Sequence, residues 1–246
     1  MPPRFHIGSG LSRASIGTTF PLPDAVAHHV VRVLRLQGGA PLILFDGTGG
    51  EYAATLVEAG KREPLARLER FDPVERESPL RVTLVQAVLA ADAMDYAIRK
   101  SVELGVSAVA PILAARSQFA PSGERGEKRL AHWRGIAIAA CEQCGRNRVP
   151  TIASVCSLEA WLATTDPERP SVIAAPGAAE SLAAFLLRTP PAAILIGPEG
   201  GFTQGEVSLA LDKRVTPVHL GPRVLRAETA GVAALAMLAA VAGDAR

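Results

Sequence analysis

The chain has 246 residues, a length that allows one or two domains. Its 26 Lys and Arg residues against 24 Asp and Glu residues give a net charge of +2, which excludes an acidic disordered chain and a histone-like polycation. With 48% hydrophobic and 20% charged residues it can bury a sizeable core. No apolar run reaches the ~20 residues that span a bilayer, and residues 1–6 are not the start of an apolar signal peptide, so we expect a cytoplasmic protein without membrane association.

The first seventy residues have a mostly β pattern. A short apolar strand over 42–45, the turn residues 46–50 and a second strand over 51–57 predict a hairpin with a long turn. Residues 25–36 are compatible with a short helix that ends at Gly38 and Gly39. A small β-barrel fits this set better than a parallel sheet. The charged segment 71–79, with two prolines and no periodicity, is interpreted as an interdomain linker.

From Leu80 onward, strand-like and helix-like segments alternate. Apolar strands are predicted over 80–88, 108–113, 172–175 and 192–196, with a further strand end at 218–221. Helices are predicted over 92–104 and 127–144, from a capping box formed by Thr203 and Glu206, and from Glu228. This alternation predicts an α/β domain with a mostly parallel sheet covered on both faces.

Two glycine-rich loops follow predicted strands and precede predicted helices. The first is Gly-Pro-Glu-Gly-Gly-Phe at 197–202, and the second is Leu-Gly-Pro-Arg-Val-Leu-Arg at 220–226. Ligands of open α/β sheets bind beyond the carboxyl ends of the strands, where glycine lets the backbone approach closely. Neither loop has the spacing of a dinucleotide fingerprint or a P-loop, which disfavours NAD and ATP chemistry. The small residues after 227 are typical of a tight intrachain passage, a helix–helix dimer contact or an ordinary buried helix.

The arginine and cysteine content bears on two questions, an RNA partner and a metal site. Only four of the 26 basic residues are lysines. Arginine suits an RNA partner, although a GC-rich genome would give the same bias. The basic residues concentrate over 125–148 and over 28–35. Cys141 and Cys144 have CxxC spacing, but zinc needs four ligands and no second pair is present, so we expect reduced cysteines and no metal.

The two loops together resemble the cofactor-binding end of SPOUT-class methyltransferases. The stretches 100–106, 111–117, 142–150 and 29–36 extend the resemblance to the RsmE family, which methylates N3 of a uridine in 16S ribosomal RNA. The resemblance covers nearly the whole chain in the right order. It implies an RNA-binding, PUA-like β-barrel over 1–74 and a methyltransferase domain over 75–246 with a C-terminal trefoil knot. It also implies a homodimer with S-adenosylmethionine as methyl donor, acting on 16S rRNA within the small ribosomal subunit.

The resemblance also assigns site residues. Loss of the N3 proton spreads charge onto the uracil oxygens, so arginine is the expected stabilising group. Arg226 and Arg146 are the catalytic candidates, with phosphate binding or a helix C-terminal charge equally open for Arg146. No general base is identified; Glu142 and Glu199 are possible, and Glu199 is more expected to hold its own loop. The expected cofactor-binding residues are Gly197, Glu199, Gly200, Gly201, Leu220, Gly221, Leu225, Arg226 and Thr229, with 172–176 as a possible third loop.

Expected RNA contacts and alternative functions complete the prediction. Arg4, Arg32, Arg35 and Arg116 are the RNA candidates, and a merely solvated arginine is the alternative at each position. A related knotted methyltransferase acting on transfer RNA would share these motifs. A non-catalytic RNA-binding or ribosome-assembly factor is the alternative from another class, and cofactor binding distinguishes it from an enzyme. A hydride-transferring reductase fits less well, because the nucleotide fingerprint is missing.

Overall fold

The computed structural model describes residues 2–8, 10–59, 63–119, 123–242 and 244. The chain divides into two compact units: an N-terminal unit of residues 1–77 with 141–149, and a C-terminal unit of residues 78–140 with 150–246. A boundary predicted along the chain is a single cut, so it could not show that Cys141–Val149 packs with the N-terminal residues. The domain bounds 1–74 and 75–246 stay predictions.

The N-terminal unit is built on a five-stranded sheet in the order β1-β3-β4-β5-β2. Its elements are β1 (Arg4–His6), β2 (Thr19–Pro21), α1 (Asp24–His28), β3 (Pro41–Phe45), β4 (Glu51–Glu58) and β5 (Leu65–Asp72), with a 3₁₀ turn at Arg13–Ser15 and a π-helical turn at His29–Val33. β1 is parallel to β3, and the other pairs are antiparallel. The core packs Phe5, Val30, Leu44, Leu56 and Leu68 together.

The structure confirms the predicted hairpin and corrects two other predictions. β3 and β4 pair with Leu44 opposite Tyr52. The predicted helix over 25–36 is α-helical only to His28 and then forms the π-helical turn. Three β-branched valines lie within that turn, and such residues are weak helix formers. Packing of the fully buried Val30 into the core therefore prevails over helix geometry.

The predicted linker is also different. Its first two residues, Phe71 and Asp72, complete β5. The residues that follow are anchored by hydrogen bonds, since the Val74 carbonyl accepts from Asn147 Nδ2 at 2.8 Å and the Glu75 carboxylate accepts from the Gly50 N–H at 2.9 Å. From sequence alone this charged segment was interpreted as a linker, because its hydrogen-bond partners lie far away along the chain.

The C-terminal unit has a seven-stranded sheet in which every pair is parallel, in the order β12-β10-β11-β6-β7-β8, with β9 also pairing with β7. The elements are β6 (Thr83–Ala87), α2 (Ala91–Glu103), β7 (Ala108–Leu113), α3 (Gly123–Cys144), β8 (Thr151–Ile152), β9 (Cys156–Ser157), α4 (Leu158–Leu162), β10 (Ser171–Ala174), α5 (Leu182–Leu186), β11 (Ala193–Ile196), α6 (Gln204–Asp212), β12 (Val215–Val218) and α7 (Ala227–Ala242). The final residues of α3, from Cys141, belong to the N-terminal unit.

Helices cover both faces of this sheet, as predicted. Neighbouring strand residues point to opposite faces. On one face, Val85 packs in a core with residues of α4 and α6. On the other face, Leu84 meets α7 so closely that a Cβ on Gly231 would lie 3.1 Å from Leu84 Cδ1. Gly231 therefore allows close packing of α7 on this face of the sheet.

Most predicted elements of this unit are present. The Thr203–Glu206 capping box is confirmed. The last strand was placed wrongly: β12 ends at Val218, so residues 219–221 belong to the following loop. The short elements β8, β9, α4 and α5 were missed, because two to five residues are too few for a periodic pattern.

Candidate active site

A cleft of about 1020 Å³ opens in the C-terminal unit at the carboxyl ends of β10, β11 and β12. This volume is at the upper end of the ~300–1,000 Å³ of small-molecule sites. The lining comes from the ends of these strands and the loops that follow them, from α6, from the start of α7 and from Arg116, after β7. Among the predicted cofactor residues, those that line it are Gly197, Glu199, Gly200, Gly201, Leu220, Gly221, Leu225 and Arg226. Thr229 is not among them; it lies in the first turn of α7.

The loop after β11 leaves little room for a side chain at its first position. A Cβ on Gly197 would lie 3.0 Å from the Phe202 backbone nitrogen and 3.2 Å from the Gly201 carbonyl carbon. Both neighbours are backbone atoms, so the loop itself would have to shift by a few tenths of an ångström to accept a Cβ. Glycine at 197 therefore suits the close return of this loop on itself.

Glu199 accepts a backbone hydrogen bond, but not from its own loop. Its Oε1 lies 3.3 Å from the N–H of Ala90, the residue just before α2. The expectation that Glu199 holds its own loop is therefore wrong, because its hydrogen-bond partner is the N–H of Ala90, outside that loop. The carboxylate instead joins the loop after β11 to the start of α2.

Glu206 ties a further loop to this one, which the sequence did not reveal. Its nearly buried carboxylate accepts from the Thr203 N–H at 2.7 Å, from the Thr203 hydroxyl at 3.0 Å and from the Ala115 N–H at 2.7 Å. The adjacent Arg116 donates from Nη1 to the Gly200 carbonyl at 2.7 Å. The segment after β7 is therefore fastened to the cleft loop at two points. The capping-box spacing could signal the Thr203 bonds, but not the bond from Ala115.

The loop after β12 contains the second glycine motif. Gly221 has φ +114°, a conformation that residues with a Cβ rarely adopt. Its N–H donates to His219 Nδ1 at 3.1 Å, and His219 also lines the cleft. Sequence reasoning missed His219; its position directly before the second motif was the available signal. The end of β10 and the loop after it, residues 174–180, also line the cleft. Of the possible third loop predicted over 172–176, residues 174–176 are among the lining and 172–173 are not.

Arg226 ends this loop with an exposed side chain at the cleft. Its carbonyl accepts from the N–H groups of Thr229 at 3.0 Å and Ala230 at 2.9 Å, so its backbone is fixed at the start of α7. Within the described part of the chain, no carboxylate forms an ion pair with its guanidinium. A fixed backbone with an uncommitted cation is what stabilisation of an anionic transition state requires.

Arg146 is placed differently from the catalytic role predicted for it. It lies in the N-terminal unit, is only 3% exposed, and forms a two-point ion pair with Glu77 through Nε at 3.0 Å and Nη2 at 2.5 Å. Burial lowers the pKa of Arg146, but the Glu77 carboxylate outweighs it and the net pKa is raised. The cleft lining does not include this side chain, and its pairing is that of a structural arginine.

Glu142, a possible general base, also belongs to the N-terminal unit. Its Oε1 accepts from the His6 N–H at 2.9 Å. Burial raises the pKa of Glu142 above its ordinary value. The structure thus places Glu142 in a backbone contact rather than in the cleft.

The predicted RNA contacts separate into two kinds. Arg4 is committed internally, since Nη1 pairs with Glu51 at 2.6 Å and Nη2 donates to Asn147 Oδ1 at 2.5 Å, so its side chain is only 10% exposed. Free phosphate binding by Arg4 is inconsistent with this pairing. Arg32 and Arg35 are exposed on either side of Val33, which is 58% exposed. Arg116 is exposed but engages Gly200.

Two other features of the described residues bear on function. No group of three or more His, Cys, Asp or Glu side chains is arranged to hold a metal there, and the three cysteines are unpaired. Burial raises the pKa of the Cys141 thiol to about 12. None of the helices described in the structure is both long and apolar enough to cross a membrane.

Comparison with known proteins identifies the family. A model described as the RNA methyltransferase domain matches residues 76–239, and one described as the RNA methyltransferase PUA domain matches 22–69. The ribosomal RNA small subunit methyltransferase E of Synechocystis is 35% identical, with 92% of this chain and 74% of that protein covered. The protein of the same name from Bacillus subtilis is 30% identical over 89% of each chain.

A solved structure agrees with these matches. The crystal structure of a ribosomal RNA small subunit methyltransferase E from Neisseria gonorrhoeae, bound to S-adenosyl methionine, superposes with a TM-score of 0.90 at 36% identity over 98% of both chains. The predicted resemblance and the α/β fold with a PUA-like N-terminal part are confirmed, while the trefoil knot stays a prediction. The chain belongs to the RNA methyltransferase family that includes the ribosomal RNA small subunit methyltransferases E.

Proposed function

We propose that this protein transfers a methyl group from S-adenosylmethionine to N3 of a specific uridine in 16S ribosomal RNA. The observation that carries the proposal is the cleft, in which both glycine-rich loops meet at the carboxyl edge of a parallel sheet. The names of the similar proteins, and the donor bound to the Neisseria structure, support the same reaction.

The cleft suits a donor held mainly by backbone groups. A Cβ at Gly197 would be only 3.0 Å from backbone, and Gly221 has a left-handed backbone, so both loops present main chain where other residues would present side chains. The apolar residues Ile196, Leu220 and Leu225 also line the cleft and suit the adenine ring. We therefore assign donor binding to the lining residues Gly197, Glu199, Gly200, Gly201, Leu220, Gly221 and Leu225.

The reaction needs positioning more than acid–base power. When bound, S-adenosylmethionine would supply a sulfonium-activated methyl group for uracil N3, with S-adenosylhomocysteine as the leaving group and the N3 proton released to solvent. Arg226 is assigned to stabilise the negative charge on the uracil oxygens, because its guanidinium lies at the cleft and is uncommitted among the described residues. Holding the two reactants at near-attack distance contributes up to roughly 7–11 kcal/mol.

RNA recognition is assigned to exposed arginines. The exposure of Arg32 and Arg35 in the N-terminal unit, and their position within the PUA match over 22–69, support phosphate contacts by these two residues. We further propose that the enzyme acts as a homodimer on the small ribosomal subunit, as the family resemblance implies. Sedimentation of the purified protein tests the dimer directly.

The experiment that tests the reaction uses labelled S-adenosylmethionine with unmethylated small ribosomal subunits, free 16S rRNA and transfer RNA. Nucleosides from each RNA are then identified by mass spectrometry. We expect 3-methyluridine from 16S rRNA and none from transfer RNA. A different methylated nucleoside would overturn the target, and donor binding without transfer to any RNA would favour an assembly factor.

A further inference from the structure

His219 lies between β12 and the second glycine motif, with its main chain held on both sides. Its N–H donates to the Glu180 carbonyl at 2.8 Å, and its carbonyl accepts from the Leu182 N–H at 2.9 Å. These bonds join it to the loop after β10 as well as to its own strand. His219 therefore lines the cleft from a backbone position that two loops determine.

The imidazole accepts the hydrogen bond that fixes the next turn. His219 Nδ1 lies 3.1 Å from the Gly221 nitrogen, where the φ of +114° turns the chain toward Arg223 and Arg226. Nδ1 can accept this bond only while it carries no proton, so the ring must be neutral with its proton on Nε2. Protonation of Nδ1 replaces the acceptor by a donor that faces the Gly221 N–H.

We propose that His219 is a positioning residue, whose neutral imidazole preorganises the 219–226 loop for S-adenosylmethionine. The inference rests on the proposed function, because it takes this cleft to be the donor site. It follows that removal of the Nδ1 acceptor loosens the turn at Gly221 and weakens donor binding.

His219 is the one histidine among the cleft residues of the described structure. Its backbone partner Glu180 is itself held in place, since the Glu180 carboxylate pairs with Arg188 at 2.5 Å. The side-chain acceptor for the Gly221 N–H is therefore a ring whose main chain is fixed.

Three variants test the proposal. His219→Ala removes the acceptor, whereas His219→Asn supplies an oxygen that accepts from the N–H two residues on, as in an Asx turn, and does not titrate. His132→Asn is the matched control, because His132 lies on α3, pairs with Asp95 at 2.7 Å and is remote from the cleft loops in sequence. Exchange of the Gly221 amide hydrogen is measured in the free proteins, and donor affinity is measured by calorimetry.

We expect His219→Ala to exchange the Gly221 amide about five- to tenfold faster and to raise the Kd for the donor by a similar factor, the size of one hydrogen bond. His219→Asn should restore both values, while His132→Asn should keep the wild-type exchange rate and the wild-type affinity. Unchanged Gly221 exchange in His219→Ala, or faster exchange without any loss of donor affinity, would overturn the proposal. Wild-type protein that binds no donor, with Gly221 still protected, would refute the proposed function instead.

Discussion

Arg226 combines a fixed backbone with an exposed side chain. Its backbone is held at the start of α7, and the residue lines the cleft. We predict that Arg226→Ala lowers kcat at least ~100-fold, because a donor aimed at transition-state charge is lost. The thermal midpoint should not change, since the side chain packs against no core. Arg99→Ala removes an equally exposed arginine from α2 and should retain wild-type turnover.

Near-normal methylation by folded Arg226→Ala protein would contradict the catalytic role assigned to Arg226.

Arg146, by contrast, is expected to have a structural role. Its two-point pair with Glu77 is nearly buried, so loss of Arg146 is expected to act on folding before it acts on turnover.

The constraint on the residue at position 197 is steric rather than electrostatic. We predict that Gly197→Ala weakens donor binding at least tenfold, because its Cβ would lie 3.0 Å from the Phe202 nitrogen and the loop would have to shift. Gly205→Ala is the matched control, since its Cβ would approach nothing nearer than the Thr203 hydroxyl at 4.0 Å. Calorimetric titration with S-adenosylmethionine compares them, and equal affinities would contradict the backbone-contact assignment.

At the scale of elements, Glu206 connects the start of α6 with the segment after β7. Glu206→Ala removes the acceptor of three hydrogen bonds, and we predict that it lowers the free energy of unfolding by about 2–4 kcal/mol. Thr203→Ala loses only the hydroxyl and should lower it by about 1 kcal/mol. Urea unfolding measures both values.

Amide exchange separates the two connections made by Glu206. The Ala115 N–H should lose protection in Glu206→Ala but keep it in Thr203→Ala, because only the first variant removes its acceptor. Equal protection in both variants would show that the loop after β7 is held by Arg116 and Gly200 alone.

The strands of the N-terminal unit are joined to residues 145–147 by a charged network around Glu51. Burial raises the pKa of Glu51, but hydrogen bonds from Arg4 and Arg76 outweigh it and hold the pKa below its ordinary value. A carboxyl with a lowered folded-state pKa stabilises the fold above its unfolded pKa of ~4.3 and loses this contribution as the pH falls through the folded-state pKa.

We therefore predict that Glu51→Gln unfolds more readily at neutral pH, by about 1–3 kcal/mol, and that its deficit shrinks below about pH 4. Urea unfolding at several pH values measures the difference from wild type. Glu69→Gln changes an exposed pair on β5 and should have little effect. A deficit independent of pH would mean that Glu51 acts by packing, not by charge.

For the whole molecule, the net charge of +2 is too small to give RNA affinity by itself, so local arginines must supply it. We predict that RNA affinity falls with salt, and that the double variant Arg32→Ala, Arg35→Ala reduces the slope of log K against log salt by about 2. Arg67→Ala removes an exposed arginine that is paired with Glu69 and should leave the slope unchanged. Filter binding to 16S rRNA at several salt concentrations measures it.

The elements predicted correctly share long, regular patterns. The alternation from Leu80 onward predicted the parallel sheet, because buried parallel strands are continuous apolar runs and their connecting helices have a different period. Short elements such as α4 and β9 were missed for the same reason. The helix over 25–36 was overextended, since the burial of Val30, which decides its geometry, depends on strands elsewhere in the chain.

Sequence by itself determined the fold class, the family and the two loops of the cleft, because these depend on local pattern and on glycines whose requirement is local. Only the tertiary structure decided which charged residues are free to act. Arg4, Arg146 and Arg226 look alike in the sequence, yet the first two are satisfied by Glu51 and Glu77 and the third lies at the cleft. The physical reason is that a carboxylate neutralises an arginine at about 3 Å regardless of separation along the chain, and that distance exists only after folding.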